Sequence, residues 1–529
     1  MAKGIDNKQR QKLLEAFGNP KIEAFDFELI EHYFRKKNKS ELHQVLNERT
    51  CNDIDFQECF AFIDRTHSRV GQQYLYYKLR NIPLVSEGAS NDEKLIKAFL
   101  ENQNFRLIVQ AELSKLSDSD AYYISSLFQD KHLERPSWFV LMPFLAISSL
   151  LSILLMFIDL RFVFVFFAIL LFNMGFHYWN KKNLMLYLSS VPQILKLNTI
   201  SNKLYKFNSL QSLSPGLKPA LNVLNSLKNR MLFFKLESKM QGEFQAFFWG
   251  IFELFKIVFL LEPLFLFSAL KKLDKHRAEM EQLFCFVGKT DVLLSIASLR
   301  NGLKEYCHPQ IIEKQSTLIA EDVYHPLIEN CVKNSIDTNG KSILLTGSNM
   351  SGKTTFIRTI AINVICGLTL NTCFAAKFSL SNYQLYSAIR ISDDLLNSKS
   401  YYFEEVLTIK KMIEQSRSGN NIFLLDEIFK GTNTIERIAA GKAVLSFLAK
   451  GNNLVFVSTH DIELANLLKG EFELYHFSEA IDNDQKTVSF DYKLKPGKLK
   501  NRNAIKILKV NDYPPEIINE AIKLAKTQE

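Results

Sequence analysis

The chain has 529 residues, a net charge of +9, and 47% hydrophobic and 23% charged residues. This balance excludes a disordered chain and leaves room for two to four domains with cores of their own. The charge excess admits a polyanionic partner without demanding one. The seven scattered cysteines include no CxxC pair, and they read as reduced cytosolic thiols, not a zinc site.

The N-terminus, MAKGIDNKQRQKLLEAF, is polar and carries no cleavable signal. Residues 1–50 read as a charged helical segment. Residues 51–135 read as the first part of a helical core, with few Gly and Pro and apolar residues at helical spacing. The composition then changes abruptly. Residues 138–158 read WFVLMPFLAISSLLSILLMFI and residues 162–179 read FVFVFFAILLFNMGFHYW, neither with a formal charge. Runs of about 18–21 residues make helices of roughly 27–31 Å, the thickness of a bilayer core.

These runs predict a transmembrane hairpin within residues 136–180, with residues 138–179 in contact with lipid. Trp138, Tyr178 and Trp179 suit the interfaces. Lys131 and Arg135 precede the pair, and Lys181 and Lys182 follow it. By the positive-inside rule both flanks face the cytoplasm and the Asp159–Arg161 turn lies outside. The expectation is a multi-pass protein of the cytoplasmic (inner) membrane with both termini in the cytoplasm. A third apolar stretch, Phe244 to Leu270, is interrupted by Glu253, Lys256, Glu262 and Pro263. Charges at mid-bilayer are costly, so this stretch reads first as one long helix buried against protein, with Glu253 and Lys256 able to pair one turn apart. The less favoured alternative is a third span, which would put the nucleotide domain on the wrong side of the membrane. Residues 181–320 complete the helical core, and residues 321–529 alternate strands and helices as in an α/β domain.

The chemistry lies in that last part. SILLT (342–346) is a short apolar strand, GSNMSGKT follows, and TFIRTIAINVICGL is a helix. A glycine-rich loop between strand and helix turns its N–H groups and the helix N-terminus toward an anion. The phosphate cradle is then Gly347, Ser348, Asn349, Met350, Ser351, Gly352, Lys353, Thr354 and Thr355. Lys353 reaches the outer phosphates of ATP and the Thr354 hydroxyl holds Mg²⁺. NIFLLDE (421–427) is a buried strand ending in two carboxylates. Asp426 supports the metal and Glu427 polarises the attacking water. NLVFVSTH ends at His460, a candidate sensor of the γ-phosphate. Transporter-type and chromosome-organising ATPases share this Asp-Glu pairing, but no LSGGQ-like stretch precedes the second strand.

With these motifs in place, the chain resembles the DNA mismatch-repair ATPase (MutS) family. GSNMSGKT with TFIRTIA is similar to that family's GPNMGGKST loop. LLDEIFKGTNTIE resembles LLDEIGRGTST, and STHDIEL resembles its ATHYFEL-like segment. ISDDLLNSKSYYFEEV is similar to SDDL…STFMVEM, and residues 492–521 to the family's closing segment. His325 and Pro326 match the HP that opens the domain, and Asn334 matches the Asn shortly before the loop. Upstream, Arg65, Thr66, Gly71 and Leu75 fit an RTxTxxGxxxL pattern of the core.

The resemblance implies an α + α/β protein: a helical core/lever domain with an inserted transmembrane hairpin, then a P-loop (ABC-like) ATPase domain. It implies ATP and Mg²⁺ as ligands and a homodimer in which Ser400 serves the nucleotide of the opposite subunit. Double-stranded or branched DNA is the implied partner. The signature stretch departs from the pattern at Tyr401, Tyr402 and Phe403, the loop at Ser348 and Ser351, and Lys430 stands where the family has Arg. With roughly 50 residues ahead of the core and the sequence stopping shortly after Ala525, the expectation is a protein without a mismatch-reading domain and without a C-terminal helix-turn-helix. The expectation is a divergent, membrane-inserted branch. The competing expectation is a membrane-bound, ATP-driven conformational switch that acts on protein or envelope partners without nucleic acid.

Overall fold

The computed structural model describes residues 6–37, 43–83, 89–227, 246–312, 316–348, 350–390, 401–482, 487–499 and 513–527, with Leu508 and Asn511. It separates into two compact units. The first takes residues 1–38, 63–77 and 88–302, and the second takes 39–62, 78–87 and 303–529. Residues 39–62 thus cluster with the C-terminal unit, where the sequence reading grouped 51–135 together.

The first unit is helical. Its labelled helices are α1 (Leu141–Leu155), α2 (Phe162–Leu188), α3 (Ala246–Val258), α4 (Leu261–Lys275) and α5 (Arg277–Gly302). α5 is its axis, with Leu283, Phe284, Val287, Leu294 and Ala297 fully buried. The helix Arg69–Arg80 packs against it at close range, and a Cβ on Gly288 would lie 2.6 Å from Tyr74 Cβ. Asp291 on α5 caps that helix, accepting from the backbone N–H of His67 (2.9 Å) and Ser68 (2.7 Å) and from Ser68 Oγ (2.5 Å). A Cβ at Gly71 would fall 2.2 Å from Asp291 Oδ2. The glycine of the RTxTxxGxxxL pattern is therefore the point where the capping carboxylate passes under the helix. Gly71→Ala is expected to lower unfolding stability by about 1–3 kcal/mol through overpacking, read as a shift of the denaturation midpoint. An unshifted midpoint would refute the close packing.

α1 and α2 pack on each other and are joined by residues 156–161. The helical run Ser137–Leu155, which ends in α1, and residues Phe162–Asn183 of α2 are long and apolar enough to cross a membrane, as are α5 and the helix Lys353–Leu370 of the second unit. Their exposure separates the two pairs. The apolar windows of α1 and α2 are 22% and 11% buried, against 83% and 78% for the other two. Phe144, Leu150, Leu154, Phe164, Leu171 and Phe172 all point outward from the pair.

The third apolar stretch is not the single buried helix expected. It breaks into α3 and α4 at Leu260, which takes a left-handed conformation with φ 48°. Pro263 sits in the first turn of α4, where its missing N–H is tolerated, whereas inside a continuous helix it would remove a hydrogen bond. Ile251, Leu254 and Phe255 of α3 are exposed, while Glu253 and Lys256 are buried. The expected Glu253–Lys256 pair is present at 2.5 Å. It belongs to a larger cluster in which Lys256 also meets Glu262 (2.7 Å), and Glu253 meets His177 Nε2 (3.0 Å) and Lys181 Nζ (2.8 Å) of α2.

The second unit is built on a six-stranded sheet: β1 (Ser342–Thr346), β2 (Gln384–Ala388), β3 (Asn421–Asp426), β4 (Leu454–Thr459), β5 (Phe472–His476) and β6 (Lys495–Pro496). The spatial order is β6-β5-β1-β4-β3-β2. The first five strands are parallel and β6 is antiparallel to β5. Its helices include α6 (Lys353–Leu370), α7 (Tyr401–Gln415), α8 (Thr434–Leu448) and α9 (Ile462–Leu468). β1, a fully buried run, reads as near-continuous apolar sequence because both faces of a parallel sheet are covered. A four-stranded sheet of Gln310–Ile311, Lys377–Leu380, Leu318–Val323 and Asn334–Asp337 lies in the same unit.

The edge at β2 is closed by the early segment. Leu385 exchanges hydrogen bonds with the Gln44 side-chain amide at 2.7 Å each way, so one side chain imitates a strand residue. The Asp53 carboxylate accepts from Ser387 Oγ (2.6 Å) and from the N–H of Ile389 (3.0 Å) and Arg390 (2.8 Å). An edge covered in this way offers no template to another chain.

Candidate functional site

In a parallel sheet, sites form at the carboxyl ends of the strands. Register brings three such ends level here, since Thr459 of β4 sits opposite Thr346 of β1 and Ser458 opposite Asp426 of β3. The loop 347–352 leaves β1 and enters α6. Gly347 has φ 150°, and a Cβ there would lie 2.7 Å from the Phe477 carbonyl. Gly352, with φ 106°, caps α6. These are the two positions where the loop needs glycine.

Lys353 is buried and its Nζ donates to the carbonyls of Gly347 and Ser348, 2.8 Å each. Burial pulls its ammonium below the ordinary value, and the nearby Glu427 and Asp426 carboxylates only partly oppose this. Thr354 Oγ1 donates to Asp426 Oδ2 at 2.8 Å, and Ser458 Oγ bonds the other Asp426 oxygen. Glu427 ion-pairs with Lys430 at 2.6 Å and also contacts His460 Nε2. Burial pushes the Glu427 carboxyl up, but hydrogen bonds from His460 and Lys430 outweigh it and bring the group down to about 2. Glu427 and Phe429 both have positive φ, 48° and 60°. Glu405 of α7 holds this strained turn, accepting from the Phe429 N–H at 2.5 Å.

These groups open onto a cavity of about 620 Å³. Its lining joins Lys353, Thr354, Asp426, Glu427 and Lys430 with Tyr324, Ile328, Val332, Phe477 and Tyr492. Charged and aromatic walls of this kind suit a small molecule with a polyanionic part and a flat apolar part, and the volume is in the usual range for such sites. Asn334 fixes one wall. Its Oδ1 accepts from the Leu494 N–H (2.7 Å) and its Nδ2 donates to the Tyr492 carbonyl (3.0 Å). His325 fixes another, its Nδ1 accepting from the Leu327 N–H at 3.3 Å, and burial pushes the ring's pKa down to about 4, in keeping with a neutral acceptor.

Residues 343–529 match the family profile of MutS domain V. Through this domain the chain is similar to the MutS family. Among its relatives, the DNA mismatch repair protein MSH3 of Saccharomyces cerevisiae is 27% identical over 271 residues, covering 49% of this chain and 26% of that protein. The DNA mismatch repair protein MutS of Shouchella clausii is 27% identical over 264 residues, covering 47% and 30% respectively. MutS of Methanosarcina barkeri is 26% identical over 272 residues, covering 49% and 30%. The matched region thus spans under a third of these relatives' length.

Within the MutS domain V, the expected residues Gly347, Ser348, Met350, Ser351, Gly352, Lys353, Thr354, Thr355, Asp426, Glu427 and His460 lie around the β1, β3 and β4 ends. Asn349 and Ser400 lie outside the described residues. Four contributors escaped the sequence reading. Ser458 stands in the STH motif beside His460, so its position was visible although its bond to Asp426 was not. Glu405 lies in the ISDDLLNSKSYYFEEV stretch, but its bond to the Phe429 N–H was not visible there. Lys430 was noted only as a departure from Arg. Glu479, which accepts from Ser348 Oγ at 2.6 Å, had no signal in the sequence.

Proposed function

We propose that this MutS-family protein is a membrane-anchored ATPase that works as a dimer and binds DNA. The observation that carries the ATPase reading is the convergence of Lys353, the Thr354–Asp426 pair and Glu427 on one cavity. A hydroxyl and a carboxylate oxygen 2.8 Å apart are a hard-oxygen donor pair of the kind Mg²⁺ takes. Thr354 and Asp426 would hold that ion, which when bound neutralises charge on the outer phosphates. The chain's own groups do the rest. The N-terminus of α6 and the loop N–H groups orient the phosphates. Lys353 exchanges the loop carbonyls for phosphate oxygens. Glu427 orients the attacking water, and His460, in contact with Glu427, is assigned to sensing the outer phosphate. Tyr324, Ile328 and Tyr492 flank the base.

The membrane reading is supported by helices α1 and α2, whose apolar side chains face outward along lengths that match a bilayer. The protein is expected to stay in the membrane fraction after an alkaline carbonate wash. Reporters at either terminus should sit in the cytoplasm, and one within residues 156–161 outside. Release by carbonate would remove the anchor.

DNA binding rests on the MutS relatives. Contacts mainly to phosphates predict an affinity that falls steeply with salt through counterion release. Matched and mismatched duplexes should then bind within about 1 kcal/mol of each other, below the roughly 1–3 kcal/mol typical of a misread base pair. The test is a titration of the detergent-purified full chain with matched, mismatched and four-way-junction DNA at two salt concentrations. Strong mismatch preference would overturn phosphate-only contact. No binding at low salt would favour a switch that acts on the envelope.

A further inference from the structure

We propose that α3 and α4 form a re-entrant hairpin that enters the bilayer beside α1 and α2 and turns back near its middle. This rests on the membrane reading of α1 and α2 and extends it.

Three observations carry it. The first is inverted polarity. α3 turns Glu253 and Lys256 inward, 7% and 1% exposed, and turns Ile251, Leu254 and Phe255 outward at 51–54%. A helix in water arranges these groups the other way round. In lipid, ionisable groups face the bundle interior and pair there, as Glu253, Lys256, Glu262, His177 and Lys181 do. Lys256 lies between the two glutamates where a cation would sit, so the cluster is a closed ion network and not a metal site.

The second is how the break is satisfied. α3 ends at Val258 and the chain turns at Leu260, which is fully buried. The Val258 carbonyl, orphaned at a helix end, accepts from Asn173 Nδ2 of α2 at 2.9 Å. The same Nδ2 reaches Ser149 Oγ of α1 at 3.0 Å. Non-helical backbone at membrane depth is tolerated only when protein supplies its partners in this way.

The third is depth. Ser149 lies about 18 Å along the helical run from Ser137, and Asn173 about 16 Å from Phe162, at 1.5 Å per residue. Both are near the middle of a span of about 30 Å. α4 then returns to the level of the first span's entrance, where Phe267 stacks edge-on against Phe139 and its carbonyl accepts from Arg135. α4 ends with Lys272 and Lys275 in its last turn, as a cytoplasmic end should. A dip and return leaves the nucleotide unit in the cytoplasm, which a third full crossing would not.

The occupant of the exposed α3 face is therefore lipid acyl chain. To test this, a photoreactive benzoylphenylalanine replaces Leu254 in the full chain reconstituted in phosphatidylcholine nanodiscs. Leu150 serves as the hairpin control and Leu467, exposed on α9, as the water control. Phospholipid adducts at Leu254 within about threefold of the Leu150 yield, and none at Leu467, are expected if both faces meet the hydrocarbon. Phe255 gives an independent second position. Adducts at Leu150 but at neither α3 position would overturn the re-entrant hairpin and leave α1 and α2 as spans. Adducts at none of them would overturn the membrane reading itself. Protein–protein adducts at Leu254 would assign the face to a second copy. A C-terminal reporter outside the cytoplasm, with the N-terminal one inside, would replace the dip with a full crossing.

Discussion

Glu427→Gln is expected to bind ATP with near-wild-type affinity and to hydrolyse it about 10²- to 10⁴-fold more slowly, the range for loss of a positioned acid–base group. The substitution keeps the shape of the side chain and removes the charge that orients water. It also removes the anion that Lys430 and His460 now share. Hydrogen bonds from His460 and Lys430 hold the Glu427 carboxyl well below the usual carboxylate range, so the group is ionised. Single-turnover hydrolysis alongside equilibrium binding of a fluorescent ATP analogue checks this. Unchanged turnover, or binding lost together with turnover, would remove Glu427 from its assigned role.

Lys353→Ala should act one step earlier. The ammonium is the buried cation of the loop, and without it the outer phosphates lose a charge-assisted contact worth about 1.5–3 kcal/mol, or roughly 10- to 100-fold in affinity. Its present bonds to the Gly347 and Ser348 carbonyls would also be lost, so the thermal midpoint of the nucleotide-free protein should be measured in parallel. A variant with a wild-type midpoint and wild-type affinity would refute the phosphate assignment.

The strand–loop–helix of β1 and α6 was legible because the cradle demands glycine at Gly347 and Gly352 and a cation directly after. Acidic strand ends are common, and Asp426 and Glu427 were legible because theirs is an apolar strand that follows the phosphate loop in the chain. The break at Leu260 was hidden, since apolar residues run straight through it and only Pro263 hinted at a helix start. The exposed face of α3 was hidden for a related reason. Glu253 and Lys256 were read as evidence for a protein surround, whereas they mark the inner side of a helix whose outer side is apolar. Glu405 and Glu479 were illegible because each acts on a backbone or hydroxyl group brought near only by the fold.

The cover over β2 joins residues far apart in the order of synthesis. Gln44 meets Leu385 across 341 positions and Asp53 meets Ser387 across 334. The ribosome releases these clamps long before the strand they close exists, and α1 and α2 emerge in the interval. The C-terminal unit therefore finishes folding only after its earliest piece has waited through the synthesis of residues 63–77 and 88–302 of the helical unit. Long-range closure of this kind is slow, and an uncovered strand edge is prone to wrong pairing while it waits.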